Sequence, residues 1–484
     1  MVNATIVGRL LSIPLGWLAA IQIAFGVLSV SVYQDLVARW FFVSGITLLA
    51  LAALLSWWTR KQALQKISPQ ESLVFAVATW VLAGFSGAIP IQLITDVSFT
   101  DAIFESISAL TTTGATILVG LDDMPPSFLL YRQFLQWVGG LGVVIFVVAI
   151  LPMLNVGGMR LLMAETPGPI KNDKLAPRIR QTARYLWLVY GVITIACAAA
   201  YWLVGMSTYD AIAHAFTTVS TGGFSTHDAS MGYFDSNGLL WVANFFMIVG
   251  AISFALHFKS FRTHILSSYW HDEETRSMLL VMAVVSIVLT LWLINSDRGS
   301  DWFDELTQVS FHVISFMTST GYGATDLNSW PMGATMVLIT LSFLGGCAGS
   351  TAGGSKMIRV IIMWRVIRQQ LFVMIHPRGV KTVQYQQHSI SDTIISAVMA
   401  FLMLALITTF VFTILLSATG LDYWTSFTAV SACINVLGPG FGEVSSNFVV
   451  VSDTGTWLLS LAMLLGRLEY FTLVALLLPT FWRG

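Results

Sequence analysis

The chain has 484 residues, of which 56% are hydrophobic and only 10% are charged, and its formal net charge is −1. An ordinary soluble domain carries roughly 25% charged residues, so the composition excludes a soluble globular protein and favours an integral membrane protein. We expect a lipid bilayer as its surroundings and no nucleic-acid partner.

Apolar runs close to the length of about 20 residues that spans a bilayer recur along the chain. They lie near residues 11–31, 39–57, 72–92, 131–153, 184–205, 238–258, 277–295, 333–344, 393–417 and 454–480. The run 333–344 is too short to span a membrane by itself. No small-residue cleavage site separates the first run from the second, so we predict a retained helix there and not a signal peptide.

Charged residues alternate between the two sets of connections. If successive runs alternate in direction, lysine and arginine gather around residues 60–66, 160–184, 259–276 and 356–381. The positive-inside rule predicts that this basic face is cytoplasmic and, with an even number of spans, that both termini lie there. The opposite, acidic face is rich in aspartate and is expected to concentrate cations.

Neither the cysteines nor the histidines form a recognisable reactive site. Cys197, Cys347 and Cys433 lie in apolar segments without metal-ligand spacing, so we expect no disulfide and no metal cluster. The eight histidines form no hydrolase motif, and no nucleophile stands beside a base. We therefore expect no enzyme.

Four stretches rich in glycine and small polar residues interrupt the apolar pattern. They are "SALTTTGATILVG" (108–120), "TTVSTGGFST" (217–226), "MTSTGYGATD" (317–326) and "CINVLGPGFG" (433–442). The central glycines are assigned as Gly114, Gly222, Gly321 and Gly438. Each stretch follows an acidic residue and a half-length amphipathic helix, and an apolar run follows it. Span, re-entrant half-helix and span thus form a unit that occurs four times in parallel.

An extended segment offers chemistry that a helix hides. Its backbone carbonyls are free to replace the hydration shell of a cation, and the negative end of the preceding half-helix favours a cation there. Non-helical backbone at membrane depth is tolerated only where protein or a watery cavity surrounds it, so the four units are predicted to enclose one path. The alternative for each single stretch is a helix-packing or loop motif, which four copies make less favourable.

A glycine-rich break, "GGCAGSTAGGSK" at 345–356, interrupts the second span of the third unit. Each glycine costs about 1 kcal/mol relative to alanine in a helix, so we predict a loop at membrane depth that acts as a gate below the third stretch. Its residues include Gly345, Gly346, Gly349, Ser350, Thr351, Gly353 and Gly354. Two alternatives are a GxxxG packing motif and a phosphate-binding loop; Ser355 and Lys356 stand in reversed order for the latter, and no strand precedes it.

Arg467 and Glu469 lie inside the last apolar run. Each charge costs at least about 2.5 kcal/mol at that depth, so both should face an interior cavity or a partner. Arg467 either sets an electrostatic barrier beside the path or pairs with Glu469 or with loop carbonyls, and these interpretations are compatible.

The chain resembles the TrkH/TrkG subunits of bacterial Trk potassium uptake systems, within the Trk/Ktr/HKT superfamily. The stretches that carry the resemblance, spread over essentially the whole chain, are "ALTTTGAT", "YRQFLQW", "GGFSTHDASMGYFDS", "GGCAGST", "LGPGFGE" and "PTFWR". The resemblance implies an all-α membrane protein with a potassium-channel-like pseudo-tetramer of four tandem span/pore-helix/span repeats around one pore. The predicted parts are an N-terminal helix pair (1–70) and pore repeats at 71–158, 159–262, 263–375 and 376–484.

The same resemblance implies potassium uptake across the bacterial inner membrane, with potassium as the transported ion and no cofactor in this chain. The implied filter residues are Thr113, Gly114, Thr221, Gly222, Thr320, Gly321, Leu437 and Gly438, and the implied gate is the loop together with Arg467. It also implies a homodimer and a cytosolic nucleotide-binding regulatory partner, TrkA, on the basic face.

The four stretches differ in sequence from the filter of dedicated potassium channels. No stretch reads TVGYG, since Ala115, Gly223 and Pro439 follow three of the central glycines; we expect weaker discrimination of potassium and rubidium from sodium.

The alternative function is a proton- or sodium-coupled potassium symporter, which should show inverted repeats and intramembrane carboxylates. Here the repeats run in parallel, and Glu469 is the one acid clearly inside a full span.

Overall fold

The computed structural model describes residues 2–61, 68–145, 175–295 and 301–483. These residues are predominantly helical, and the strands among them, Gln384–Tyr385 (β1) and His388–Ser389 (β2), form an antiparallel hairpin. Six described helices are long and apolar enough to cross a membrane. The predicted all-α membrane architecture is therefore confirmed.

An antiparallel helix pair opens the fold. Helix α1 covers Ala4–Leu28 and extends into a π-helical turn, Ser29–Tyr33, and α2 covers Ala38–Thr59. The Asn3 side chain caps α1 by accepting from the amide of Thr5. The pair packs on the first helix of the next unit, α3, as expected for an extra element outside the repeats.

Four groups of helices follow, each with a long helix, a short helix and a returning helix. The first contains α3 (Pro69–Thr95), α4 (Phe99–Thr111) and α5 (Pro126–Ile145). The second contains α6 (Leu175–Leu203), α7 (Thr208–Val219), α8 (Asn237–Ala251) and α9 (Phe254–Thr263), followed by α10 (Ser267–His271). The third contains α11 (Glu273–Ile294), α12 (Trp302–Met317), α13 (Met332–Leu344) and α14 (Met357–Ile375). The fourth contains α15 (Asp392–Ser417), α16 (Tyr423–Ile434), α17 (Asp453–Arg467) and α18 (Tyr470–Leu477), and α19 (Pro479–Arg483) ends the chain.

Polar residues fix where the short helices begin. Ser98 caps α4 and Ser207 caps α7, each by accepting from a backbone amide three residues on at 3.1 Å. The acidic residues predicted to precede the half-helices are Asp101, Asp210 and Asp304 in the first turns and Asp422 at the N-cap of α16. A carboxylate there satisfies free amides and complements the helix dipole. Helix capping thus explains part of the acidic pattern.

The returning helices break near the basic face. Helices α8 and α9 meet at 95°, and α17 and α18 meet at 113°, so the apolar runs predicted over 238–258 and 454–480 are each a bent pair of helices. Glu469, with a φ of +60°, lies at the second bend, and helix geometry does not continue through a left-handed residue. In the third group, residues 345–356 separate α13 from α14, as predicted.

The buried core has two large parts. One joins the N-terminal pair with the first and fourth groups, and the other joins the second and third groups. The outward faces of the long helices expose large apolar side chains, for example Ile195, Leu280 and Phe410. Contiguous apolar surface of this kind is unfavourable in water and matches lipid surroundings. In the described parts of the acidic-face connections lie four short 3-10 turns: Leu121–Asp123, Ser230–Phe234, Leu327–Ser329 and Gly442–Val444.

Part of the predicted domain organisation lies outside the described residues. The boundary between residues 158 and 159 lies outside the described residues, and so do residues 62–66 and 160–174 of the basic connections. The other predicted boundaries stay predictions.

Candidate functional site

After each short helix the chain runs through one shared backbone conformation. We call these stretches the ring segments; they are residues 112–114, 221–223, 319–321 and 436–438. The first residue of each has a φ between +51° and +59°, and the last is a glycine with a φ between +77° and +98°. Two left-handed residues flanking a third turn the backbone sharply, and all four stretches do so in the same register.

Backbone hydrogen bonds confirm this equivalence. The amide of the middle residue bonds to the carbonyl five residues earlier in every segment: Thr113 to Ser108 (2.9 Å), Gly222 to Thr217 (2.7 Å), Thr320 to Ser315 (2.8 Å) and Leu437 to Ala432 (2.8 Å). Gly222 therefore corresponds to Thr113, and Gly223 corresponds to Gly114. The sequence-based alignment of Gly222 with Gly114 is one residue off, because two adjacent glycines leave the register ambiguous until their φ values are known.

The four segments close into a ring in chain order. A Cβ atom placed on each terminal glycine would meet the middle carbonyl oxygen of the next segment: Gly114 and Gly222 (2.1 Å), Gly223 and Thr320 (1.9 Å), Gly321 and Leu437 (1.8 Å), and Gly438 and Thr113 (2.6 Å). The fourth segment thus returns to the first. Only glycine permits both the left-handed backbone and this close approach.

Most of the middle carbonyls in the ring have no protein partner. Among the described residues, no group donates a hydrogen bond to the carbonyls of Thr113, Thr320 or Leu437, whereas that of Gly222 accepts from Gln136 Nε2 at 2.7 Å. These residues are buried. Because buried backbone carbonyls are rarely left unpaired, a ring of them is suited to a dehydrated cation.

Polar side chains of the short helices support the ring by bonding to residues that follow each ring segment. Glu105 accepts from the amide of Ile117 (3.1 Å), His312 Nε2 from that of Ala324 (3.2 Å) and Thr428 Oγ1 from that of Phe441 (3.0 Å), while His214 Nε2 bonds to Ser225 Oγ (2.9 Å). Glu105, His214 and His312 each stand nine residues before the terminal ring glycine. Sequence reasoning missed them, and the correct register at Gly223 is the signal that finds them.

An ion pair strengthens the first of these supports. Arg132 Nε donates to Glu105 Oε1 at 2.9 Å, and both side chains are fully buried. The guanidinium also lies 4.2 Å from the ring centroid of Phe224, the residue after the second ring segment. Removing one partner of such a pair leaves an uncompensated charge at a cost of about 3–5 kcal/mol. The pair therefore fixes α4, α5 and the second segment together.

The glycine-rich loop lies against the ring on the side of the basic face. The amide of Gly353 donates to Ser319 Oγ at 2.5 Å, and that of Gly354 to the carbonyl of Asn435 at 3.1 Å. Ser319 is a ring residue, and Asn435 immediately precedes one. Gly349 has a φ of +75° outside any helix, so the interpretation as a GxxxG helix-packing motif is wrong. Helix α13, not a strand, precedes the loop, which leaves the phosphate-loop interpretation without support.

Thr351 and Arg467 connect this loop to two further groups of helices. Thr351 Oγ1 lies 3.0 Å from the carbonyls of both Val219 and Gly250, and its own carbonyl accepts from Arg467 Nη1 at 2.8 Å. The predicted pairing of Arg467 with loop carbonyls is confirmed. Arg467 is 5% exposed, so the guanidinium is almost entirely held within the protein.

The alternative pairing of Arg467 with Glu469 is wrong. Glu469 Oε1 instead accepts from Arg359 Nη2 at 2.9 Å, because the bend between α17 and α18 separates the two side chains. A cavity of about 30 Å³ below the loop is lined by Lys356, Arg359, Arg467 and Glu469 among others. Its charged lining is positive on balance, which disfavours a cation there.

On the acidic face, His227 contacts one carboxylate from the first group of helices and one from the second. We call these two contacts the His227 clasp. Its Nδ1 lies 2.5 Å from Asp122 Oδ1, and its Nε2 lies 3.4 Å from Asp210 Oδ1. Burial lowers the pKa of His227, but the two carboxylates outweigh burial and raise it above the ordinary value. The hydrogen bond from His227 lowers the pKa of Asp122. Asp228 adds bonds to the amides of Gly120 and Leu121.

Comparison with known proteins gives consistent matches over the whole chain. The family model described as "TrkH: Cation transport protein" matches residues 39–480. The Trk system potassium uptake protein TrkH of Vibrio parahaemolyticus is 42% identical over 448 residues, 92% of each chain, and that of Escherichia coli K12 is 40% identical over 454 residues, 93% of this chain and 94% of the other. The crystal structure of the potassium transporter TrkH from Vibrio parahaemolyticus superposes with a TM-score of 0.90 at 38% identity, covering 99% of this chain and 100% of that one.

Replacing Gly321 by alanine is expected to destabilise the ring. The new Cβ would meet Leu437 O at 1.8 Å and would sit on a residue with a φ of +78°. Gly120→Ala is the matched control, because Gly120 has the same φ of +78° and an added Cβ there would meet nothing within 4 Å. We expect Gly321→Ala to lose at least about 2 kcal/mol more stability than Gly120→Ala, since overpacking adds to backbone strain. The measurement is the thermal unfolding midpoint of each purified variant; equal losses would show that the close approach is not present.

The His227 clasp predicts a pH-dependent contribution to stability. Because the folded pKa of His227 is raised, the contribution is complete below about pH 6.5, the ordinary value, and is lost as pH rises through the folded pKa. Asp122 is 44% exposed, so screening limits the effect to about 0.5–1 kcal/mol. Unfolding midpoints of the wild type and His227→Gln should differ at pH 6 and converge by about pH 9. His271→Gln, on an exposed histidine of the basic face, is the control; a difference that persists unchanged at high pH would contradict the clasp.

Proposed function

The chain belongs to the TrkH family of cation transport proteins, and from this we infer that it takes up potassium across the bacterial inner membrane. The closed ring of four backbone segments is the observation that best supports this function. Since a dehydrated potassium ion needs oxygen ligands in place of its water, the buried middle carbonyls are suited to receive it. Potassium is the transported ion and not a cofactor.

The proposed filter consists of the middle and terminal residues of the four segments. They are Thr113 and Gly114, Gly222 and Gly223, Thr320 and Gly321, and Leu437 and Gly438, with Thr221 as the left-handed residue that precedes the second pair. Gln136 already donates to the carbonyl of Gly222, so that oxygen is a weaker ligand than the other three. This asymmetry supports a selectivity for potassium over sodium that is lower than in a ring of four equal ligands.

Coupled symport is not favoured by Glu105 beside the ring or by Glu469 beside the loop. Glu105 is held by Arg132 and Glu469 by Arg359, so both are already neutralised by arginine. A carboxylate that carries a coupling proton or sodium ion needs to exchange its partner during transport. The proposed transport is therefore conduction through the ring.

The proposed gate is the loop at residues 345–356. Its contacts with Ser319 and Asn435 place it directly beside the ring, and Arg467, bonded to its Thr351 carbonyl, adds a fixed positive charge. A cation leaving the ring toward the basic face meets both the backbone of the loop and this charge. Movement of the loop together with Arg467 is proposed to open the path.

The orientation and partners are proposed from the charge pattern and the family. The basic face is proposed to be cytoplasmic, with both termini there, and to receive a nucleotide-binding regulatory subunit resembling TrkA. Exposed Arg368, Arg378 and Lys381 on that face suit an acidic protein surface. A homodimer is proposed on the family resemblance.

Rubidium uptake into liposomes containing the purified protein tests the proposed function. With no proton or sodium gradient, we expect uptake that excess external potassium blocks and that the same concentration of sodium blocks much less, because the carbonyl ring discriminates by dehydration and ligand number. Protein-free liposomes are the control. Uptake that begins only when a proton or sodium gradient is imposed would overturn conduction in favour of coupled transport.

Thr351→Val tests the gate with little change of shape. Valine lacks the hydroxyl that lies 3.0 Å from the carbonyls of Val219 and Gly250, so the loop loses an attachment worth roughly 1 kcal/mol. We expect rubidium uptake to rise several-fold. Thr335→Val is the matched control, because among the described residues the bond of that buried hydroxyl stays within α13, to the carbonyl of Met332. Unchanged or lower uptake by a normally folded Thr351→Val protein would contradict a gate at this loop.

A further inference from the structure

Four consecutive residues at the start of α11, from its N-cap Asp272 to Thr275, contact the β-hairpin, α14 or the glycine-rich loop. Asp272 Oδ1 accepts from Gln386 of the hairpin at 3.3 Å, and Glu273 Oε2 accepts from Arg365 of α14 at 2.7 Å. Arg365 in turn donates to the carbonyl of Gln384 in the hairpin. Thr275 Oγ1 lies 3.9 Å from Cys347 Sγ in the loop. The remaining residue, Glu274, contacts both the hairpin and the loop.

The two oxygens of Glu274 bond to different elements. Oε2 accepts from the amide of Ala348 in the loop at 2.7 Å, and Oε1 accepts from the Tyr385 hydroxyl in β1 at 3.1 Å. Glu274 is 4% exposed and Tyr385 is 2% exposed. A carboxylate buried to this extent is costly unless its oxygens are bonded. The loop and the hairpin therefore share one buried acceptor.

Apolar packing connects the same two elements. Ala348 of the loop and Val383 and Tyr385 of the hairpin belong to one small buried cluster, which is completed by Ile358, Ile362 and Val366 of α14 and Val398 of α15. The amide of Ile390 closes the base of the hairpin by bonding to the carbonyl of Val383 at 2.9 Å. A displacement of the hairpin thus strains both the cluster and the hydrogen bond to Glu274.

We infer that Glu274 is a positioning residue that couples the hairpin on the basic face to the loop beside the ring. A protein that docks on this face and moves the hairpin withdraws Tyr385 from Glu274. The carboxylate then loses one of its bonds and shifts, and the amide of Ala348 loses its acceptor. The loop is released at Cys347 and Ala348, upstream of its attachment at Thr351. This coupling rests on the proposed function of the loop as a gate.

Tyr385→Phe tests the coupling, because it removes the hydroxyl and preserves the packing. Cys347, Cys197 and Cys433 are all buried and free, so their rates of modification by N-ethylmaleimide, followed cysteine by cysteine by mass spectrometry, report local opening. In the full chain in liposomes we expect Cys347 to react about tenfold faster in Tyr385→Phe, the scale set by one hydrogen bond to a charged group. Cys197 and Cys433 should keep their wild-type rates.

Two further variants sharpen the test. Tyr269→Phe removes a hydroxyl bonded to His257 at 2.9 Å near the same face, and it should leave the rate of Cys347 unchanged. Glu274→Ala removes both bonds and should exceed the effect of Tyr385→Phe; if that variant fails to fold, Tyr385→Phe decides alone. A rate at Cys347 within twofold of the wild type, or an equal rise at all three cysteines, would overturn the coupling.

Rubidium uptake measured on the same samples separates the coupling from the gate. If Thr351→Val raises uptake while Tyr385→Phe changes neither uptake nor the rate at Cys347, the gate stands and the coupling is wrong. If Tyr385→Phe exposes Cys347 but neither variant raises uptake, the hairpin does position the loop, and the loop is not the gate.

Discussion

The structure depends on keeping non-helical backbone with unpaired carbonyls inside a protein that sits in lipid. A lipid-facing segment of this kind would leave each unpaired group at a cost of several kcal/mol. The fold avoids this by surrounding the ring with short helices whose residues are buried along most of their length, as in α4 from Ala102 to Thr111. The long apolar helices then face lipid, and the polar backbone faces the centre.

The ring is held by different chemistry in each unit, although its backbone is the same. A carboxylate, Glu105, supports the first segment, histidines support the second and third, and a hydroxyl, Thr428, supports the fourth. A chain with four covalently linked units is free to diverge in this way, whereas a symmetric tetramer of identical chains repeats one solution four times. The same freedom explains why Gln136 donates to a carbonyl of the second segment. In the proposed filter, four unequal carbonyls give a less uniform field than four equal ones would.

The sequence predicts the fold better than the site. The lengths of the apolar runs predict the long helices. The four glycine stretches predict the ring segments, and the glycine-rich break predicts the loop, because each feature depends on local composition. The predicted alignment of Gly222 with Gly114 was wrong by one residue, since spacing alone cannot tell which of the two glycines adopts a positive φ. The predicted pairing of Glu469 with Arg467 was also wrong, because the bend at Glu469 depends on tertiary packing and not on the apolar pattern. Glu105 and Arg132 were missed for the same reason: their pairing joins two helices.

The acidic residues of α11 show what a charge pattern can hide. "HDEET" places three acids in a row on the otherwise basic face, and all three accept hydrogen bonds from the hairpin, α14 or the loop. Residues that contradict a global pattern are thus candidates for specific contacts, because selection for the general charge bias does not explain them.

Those contacts also set the scale of the opening equilibrium in the proposed gate. The loop bonds at Cys347 to Ala251, at Ala348 to Glu274 and at Gly354 to Asn435, in addition to Thr351. Each such bond contributes roughly 0.5–1.5 kcal/mol, or more with a charged partner, so together they amount to several kcal/mol. A shift from mostly closed to mostly open requires about 5.5 kcal/mol of differential binding. Because the bonds are spread over neighbouring helices, a partner that releases one attachment changes the balance without having to break them all.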